Sequence, residues 1–336
     1  MLYVEPDYIQ YAVELPDDTY ADLLWGLHNS GQDIRGNIGT LDADIDAPGA
    51  WARVASPSTV VAIIDSGAQL DHEDLAANIW VNPAEQTGNS GIDDDVPTNG
   101  FIDDVHGWDF FSNDSDPSDE DGHGTHTAGT VGAVPGNALG IAGVCGTCRL
   151  MILRFLGPDG GTTSDAIAAL QYAVANGASV SNNSWGGGPY SQALYDAISA
   201  AGDAGHVFVA AAGNSGSNND VSPAYPASYD LPNIIAVAAT DNRDAIASFS
   251  NYGGSTVDIG APGVDIASSY WDPTTPTDDY WWSSGTSMAA PHVAGVVALV
   301  QAAEAQENAL ACQDPDTHEA VGVVERVLRS ARPVAT

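Results

Sequence analysis

The 336 residues carry 45 carboxylates against eight arginines and no lysine, a formal net charge of −37 with a sequence pI near 4.1. Such a field repels nucleic acid and anionic membrane surfaces, and no two arginines are adjacent to build an opposing patch, so neither partner is expected. With 44% hydrophobic residues and a mean hydropathy of −0.08, the acidity overlies an ordinary apolar content, and the chain is expected to fold.

Residues 1–16, which contain Glu5-Pro6 and Leu15-Pro16, read as an arm ahead of the first domain element, and their opening is not a signal peptide. The β-branched run from Thr59 to Ile64 ends at Asp65-Ser66-Gly67, the pattern of a buried strand entering a loop. From Glu85 to Asp121 the chain carries twelve carboxylates, no arginine and turn signals throughout, an acidic excursion. Cys145 and Cys148 lack the second Cys/His pair of a structural zinc site and read as a surface-loop pair or one disulfide.

Leu150 to Leu156, Val207 to Ala212 and Ile234 to Ala239 repeat the buried-strand character. Ser164 can cap a helix with Ile167, Leu170 and Val174 on its apolar face, and Leu194, Ile198 and Ala201 mark another. The last helices run from Ser287 to about Ala303, with Pro291 placed in the first turn, and over roughly Ala320 to Ser330. No stretch reads as a membrane span of roughly 18 to 20 uncharged apolar residues. Strands alternating with helices point to parallel βαβ units, hence a three-layer α/β architecture with a mostly parallel twisted sheet flanked by helices.

Three segments carry chemistry. Ile64-Asp65-Ser66-Gly67 sets a carboxylate at the carboxyl edge of a buried strand, where open α/β sheets place active sites. His123 stands between glycines and opens a helix of small residues, and Ser287 begins a long helix. Singly, these are commonly a turn residue, a satisfied imidazole and an N-cap. Together, the chain order Asp, His, Ser is one of the known orders of the serine-nucleophile triad, the one the subtilisins use.

In these blocks the chain resembles the subtilases, the subtilisin-like serine peptidases. The residues concerned are Val61-Ala62-Ile63-Ile64-Asp65-Ser66-Gly67, His123-Gly124-Thr125-His126-x-Ala128-Gly129, and Gly285-Thr286-Ser287-Met288-Ala289-x-Pro291-His292-Val293-Ala294-Gly295. Ala210-Ala211-Ala212-Gly213-Asn214 is similar to the family's oxyanion strand. The resemblance implies one catalytic domain over 17–336, with an acidic insertion at 85–121. It implies Ser287 as nucleophile, His123 as base and Asp65 as its orienting carboxylate, with Asn214 in the oxyanion hole.

Further roles follow from the same resemblance. Asn182 to Gly187 would pair with an extended substrate, and Ser184, Trp185, Gly186, Ala212 and Gly213 would bind it. Small walls imply room for a large apolar side chain within a broad specificity, and the carboxylates disfavour acidic substrates near the cleft. Calcium is the implied cofactor, held by Asp74, Asn137, Leu139 and Ile141 and completed by a carboxylate near Asp17 or Asp18. The acidic excursion offers Asp93, Asp95, Asn99, Asp103 and Asp104 for a second ion, although its glycine falls at Gly100 and not at the EF-hand position. Leu2 to Tyr8 resembles the end of an inhibitory propeptide, so a secreted, monomeric peptidase of protein or peptide substrates is expected, its own propeptide acting as inhibitor. The competing reading is a catalytically silent binding module on the same fold.

Outside the excursion and the arm, carboxylates still outnumber arginines several-fold, which reads as adaptation to high salt, where screening relieves self-repulsion. Thermal midpoints are therefore expected to rise from 0.1 to about 2 M NaCl at saturating calcium; a fall across that range would contradict this reading.

Overall fold

A computed structural model describes residues 15–54, 59–272, 274–275, 278–311 and 320–331; the segment resembling a propeptide, Leu2 to Tyr8, lies outside them. Seven strands form the central sheet: β1 (Val60–Asp65), β2 (Gly107–Asp109), β3 (Arg149–Arg154), β4 (Val180–Asn183), β5 (Val207–Ala211), β6 (Ile234–Thr240) and β7 (Ile259–Pro262). Their spatial order is β2-β3-β1-β4-β5-β6-β7, and every pairing is parallel.

Burial on both faces explains the apolar runs. Alternate side chains of β1 divide between two cores. Ala62 and Ile64 pack with Leu170 of α2 (Thr163–Ala175) and Ile198 of α3 (Gln192–Asp203), whereas Val61 and Ile63 face Val131 of α1 (His123–Gly132) and Val297 of α4 (Thr286–Ala311). Helix α5 (Ala320–Ser330) adds Val323, Val324 and Val327 to the second core. Outside the sheet, β8 (Ile266–Trp271) and β9 (Asp278–Ser283) form an antiparallel hairpin against α1, with the Ser268 and Ser269 hydroxyls donating to the His126 and Thr125 carbonyls.

Several expectations shift. Thr162, not Ser164, caps α2, its hydroxyl accepting from Asp165 N at 3.2 Å. The acidic excursion is not all loop, because Gly107–Asp109 forms the sheet edge. Cys145 and Cys148 form a disulfide, but both are fully buried, not on the surface. Thr286–Glu307 is long and apolar enough to cross a membrane by composition, yet 72% of that window is buried, the pattern of a core helix. Pro291 is the sixth residue of α4 and so lies in its second turn.

At the edge of β3, Arg154 donates to Asp109 at 2.9 Å and to Glu120 at 2.6 Å, the first carboxylate being 1% exposed. Removing the cation strands a buried negative charge. Arg154→Ala should cost about 3–5 kcal/mol in urea denaturation; a loss below about 1 kcal/mol would show that the pair does not hold this edge.

Candidate active site

The site begins where β1 ends. Asp65 is 0% exposed, and its Oδ1 accepts from Ser66 N and from His123 Nδ1, both at 2.7 Å, while Oδ2 accepts from Thr127 Oγ1 at 3.3 Å. His123 reaches it because α1 starts hard against the strand end: a Cβ at Gly124 would fall 2.0 Å from Gly67 O. Sequence reasoning missed the residue that fixes this start. The buried Asp119 carboxylate accepts from Gly122 N, Thr125 N, Thr125 Oγ1 and Ser66 Oγ, capping α1 and tying it to β1. Its signal was an aspartate four residues ahead of a glycine-flanked helix start.

Burial would lower the His123 pKa, but the charge and hydrogen bond of Asp65, with the charges of Asp121 and Asp119, raise it to about 9. His126 runs the other way, pushed down to about 4 by burial, its Nε2 against Ile266 O at 3.1 Å. It is a packed, neutral residue.

Ser287 is the second residue of α4, and its hydroxyl donates to Ser184 O at 3.2 Å. Four residues on, Pro291 has no N–H for the Ser287 carbonyl, and Ser184 Oγ donates to that carbonyl at 2.8 Å instead. The Asn214 amide oxygen accepts from Thr286 N at 2.8 Å and Thr286 Oγ1 at 3.0 Å, which turns its NH2 outward. A Cβ placed on Gly285 would lie 3.5 Å from Asn214 Nδ2 and 3.6 Å from Ser287 N, so both donors border one small space.

The residues expected to wall the substrate are placed as follows. Gly186 and Gly187 run beside Tyr225, Gly187 N donating to its carbonyl at 3.1 Å. Trp185 packs edge-on against Phe155 at 4.9 Å, with its indole N–H buried and unpartnered. Ala212 is fully buried, and Gly213, at φ 109°, donates to Thr286 Oγ1.

Of the expected calcium ligands, Asp74 is buried and accepts from Asn137 Nδ2 and Ile141 N, each at 2.8 Å. Of the neighbouring Asp17 and Asp18, Asp18 is the one turned into this loop. It is 5% exposed, accepts from Gly136 N and Asn137 N, and both it and Asp74 have pKa values raised by burial and by neighbouring carboxylates. Each carboxylate oxygen already accepts one N–H, and Asn137 turns its NH2 toward Asp74 and its oxygen to Leu139 N, so it is through their remaining lone pairs that these hard oxygens fit calcium. The carbonyl of Leu139 accepts from Thr19 N at 3.3 Å.

In the excursion Glu85, which sequence reasoning passed over, converges with Asp93 and Asp95 to within 4.8 Å. Asn99 and Asn82 bridge Asp95 to the buried Asp104, whose pKa burial raises to about 6 despite the Tyr172 hydroxyl bond. Asp103 turns away to accept from Gly91 N.

The sequence profile of the Subtilase family matches residues 56–328. The chain is a subtilase. It is 41% identical to thermitase of Thermoactinomyces vulgaris over 257 residues, 76% of this chain and 79% of that protein. It is 38% identical over 301 residues to a thermophilic serine proteinase of Bacillus sp. (strain AK1), covering 89% of this chain and 62% of that one. Its fold matches a protease of Pseudoalteromonas arctica PAMC 21717 with a TM-score of 0.71 at 30% identity, over 94% of this chain and 91% of that chain. This subtilase is thus a serine endopeptidase by family.

The raised His123 pKa has a thermodynamic counterpart. Stabilisation by the Asp65–imidazolium pair should be complete below pH 6.5 and be lost as pH rises through about 9. An NMR titration of the His123 ring should give a midpoint near 9, falling toward 6.5 or below in Asp65→Asn; a wild-type midpoint at 6.5 would contradict the assigned field.

Proposed function

We propose that this subtilase hydrolyses peptide bonds through an acyl-enzyme, with Ser287 as nucleophile, His123 as general base and then acid, and Asp65 fixing the imidazole. The observation that carries this is the 2.7 Å bond between His123 Nδ1 and the buried Asp65, which commits the other ring nitrogen to proton exchange. In the reaction the Ser287 hydroxyl turns from the Ser184 carbonyl to His123 Nε2, attacks the scissile carbonyl and gives up its proton. The oxyanion then meets the Asn214 NH2 and Ser287 N–H in the space that Gly285 leaves open, helped by the positive end of α4. Ser184 to Gly187, with Gly213, would pair with and flank an extended substrate.

Calcium, when bound, supplies charge neutralisation. Asp18, Asp74 and Asn137 would hold it through side chains, with the Leu139 and Ile141 carbonyls; Glu85, Asp93 and Asp95 would hold a second ion. Either ion would relieve repulsion between carboxylates and so stiffen the segments leading to α1. The buried disulfide suits an oxidising, extracellular setting. Broad specificity, a monomeric state and inhibition by a propeptide whose tail is residues 1–16 complete the reading. Nothing in the site favours a silent binding module.

Ser287→Ala should abolish organophosphonate labelling and peptide cleavage, while Asn214→Ala should keep labelling and lower kcat about 10² to 10³-fold. Labelling that survives Ser287→Ala would overturn the assignment. EGTA should lower the thermal midpoint and open the 85–104 loop to limited proteolysis; an unchanged cleavage pattern there would remove the second ion.

A further inference from the structure

The hairpin that packs on α1 brings exposed aromatic surface to the flank of the cleft that carries His123. Gly122, directly before that histidine, has no room for a side chain: a Cβ there would lie 2.3 Å from Trp271 O and 2.7 Å from the Tyr270 ring. Tyr270 stacks at a tilt on Trp281, with ring centroids 6.2 Å apart, and Trp281 is 57% exposed. Two carboxylates border these rings. Asp121 accepts from His123 N at 3.3 Å, and Asp272 follows β8, held by Thr274 N and the Thr274 and Thr275 hydroxyls. Burial, then the charges of Asp121 and Asp272, raises the Tyr270 hydroxyl pKa, which places both carboxylates in the field of that ring.

The chain's own cations show how such a surface is used. Arg35 lies 5.8 Å over the Trp282 ring and 3.7 Å from Asp265, and Arg154 lies 5.6 Å over Phe111 beside Asp109 and Glu120. In both, an aromatic face and a carboxylate share one cation. Among the described residues no arginine pairs with Asp121 or Asp272, so the aromatic and acidic surface has the same chemistry without a guanidinium, the imidazole of His123 being the cationic group nearest Asp121.

We propose that Tyr270, Trp281, Asp121 and Asp272 form a specificity subsite for a lysine or arginine side chain of the substrate, within two residues of the scissile bond. The inference rests on the peptidase reading of His123 and Ser287 and names the substrate class that the site prefers. Exposed cation–π contacts and ion pairs are each modest, so together they give a preference of about five- to tenfold. Their charges are screened by salt, so the preference shrinks as the screening length falls from about 10 Å at 0.1 M to about 3 Å at 1 M.

The test is a peptide library with lysine or norleucine at each of the two residues on either side of the bond, read as the ratio of kcat/KM values. The ratio cancels any effect of a variant on His123 itself. Wild type should favour lysine about five- to tenfold at one of these positions in 0.1 M salt and less in 1 M. Asp121→Asn and Trp281→Ala, made separately, should each lower the ratio at that same position. A ratio near one at all four positions, or one that neither variant changes, overturns the subsite. If Ser287 is labelled by an organophosphonate while the lysine ratios are flat, only the subsite fails; a folded protein neither labelled nor active overturns the peptidase reading with it.

Discussion

A carboxylate sealed at the end of a parallel strand organises this molecule. Asp65 has no access to water, so every lone pair it keeps charged must be met by the protein. The Ser66 amide, the Thr127 hydroxyl and the His123 imidazole meet it, and two of those three belong to α1. That helix must therefore start within contact of the strand end, which accounts for the glycines at 67 and 124 and for the capping carboxylate of Asp119. The sheet holds Asp65 in place, and Asp65 in turn fixes where α1 begins.

Legibility followed burial. The strands at the middle of the sheet announced themselves as β-branched runs because both faces are covered. Gly107–Asp109 did not, since an edge strand of three residues inside an acidic stretch has no apolar run to show. Val180–Asn183 was obscured by its polar second half, and the β8–β9 hairpin by serines that bond to α1. The positions proposed as catalytic were legible because their neighbours are constrained: glycine where backbones touch, small residues where a helix lies on a hairpin. Asp119 and Glu85 were passed over and Asp18 was legible only as one of two neighbouring carboxylates, since among 45 acidic residues a single one stands out little until folding brings it to a partner.

The acidity itself separates into uses. Some carboxylates cap helix starts or turn amides, as Asp119 and Asp18 do; some oppose each other, as Glu85, Asp93 and Asp95 do; two, Asp109 and Glu120, pair with buried Arg154. The fold engages many of these carboxylates through backbone amides, which every residue but proline supplies. A surface built this way repels its own copies and leaves few cations for another peptidase to read.

The break in α4 has its own consequence. Because Pro291 cannot bond to the Ser287 carbonyl, that oxygen is available to Ser184, and the segment proposed as the substrate wall is moored to the backbone of Ser287. A residue with an N–H at position 291 would offer the carbonyl an alternative partner within its own helix and release the mooring. Proline at this helix position thus ties the segment proposed as the substrate wall to the residue proposed as nucleophile, so that a displacement of Ser184 would be felt at Ser287.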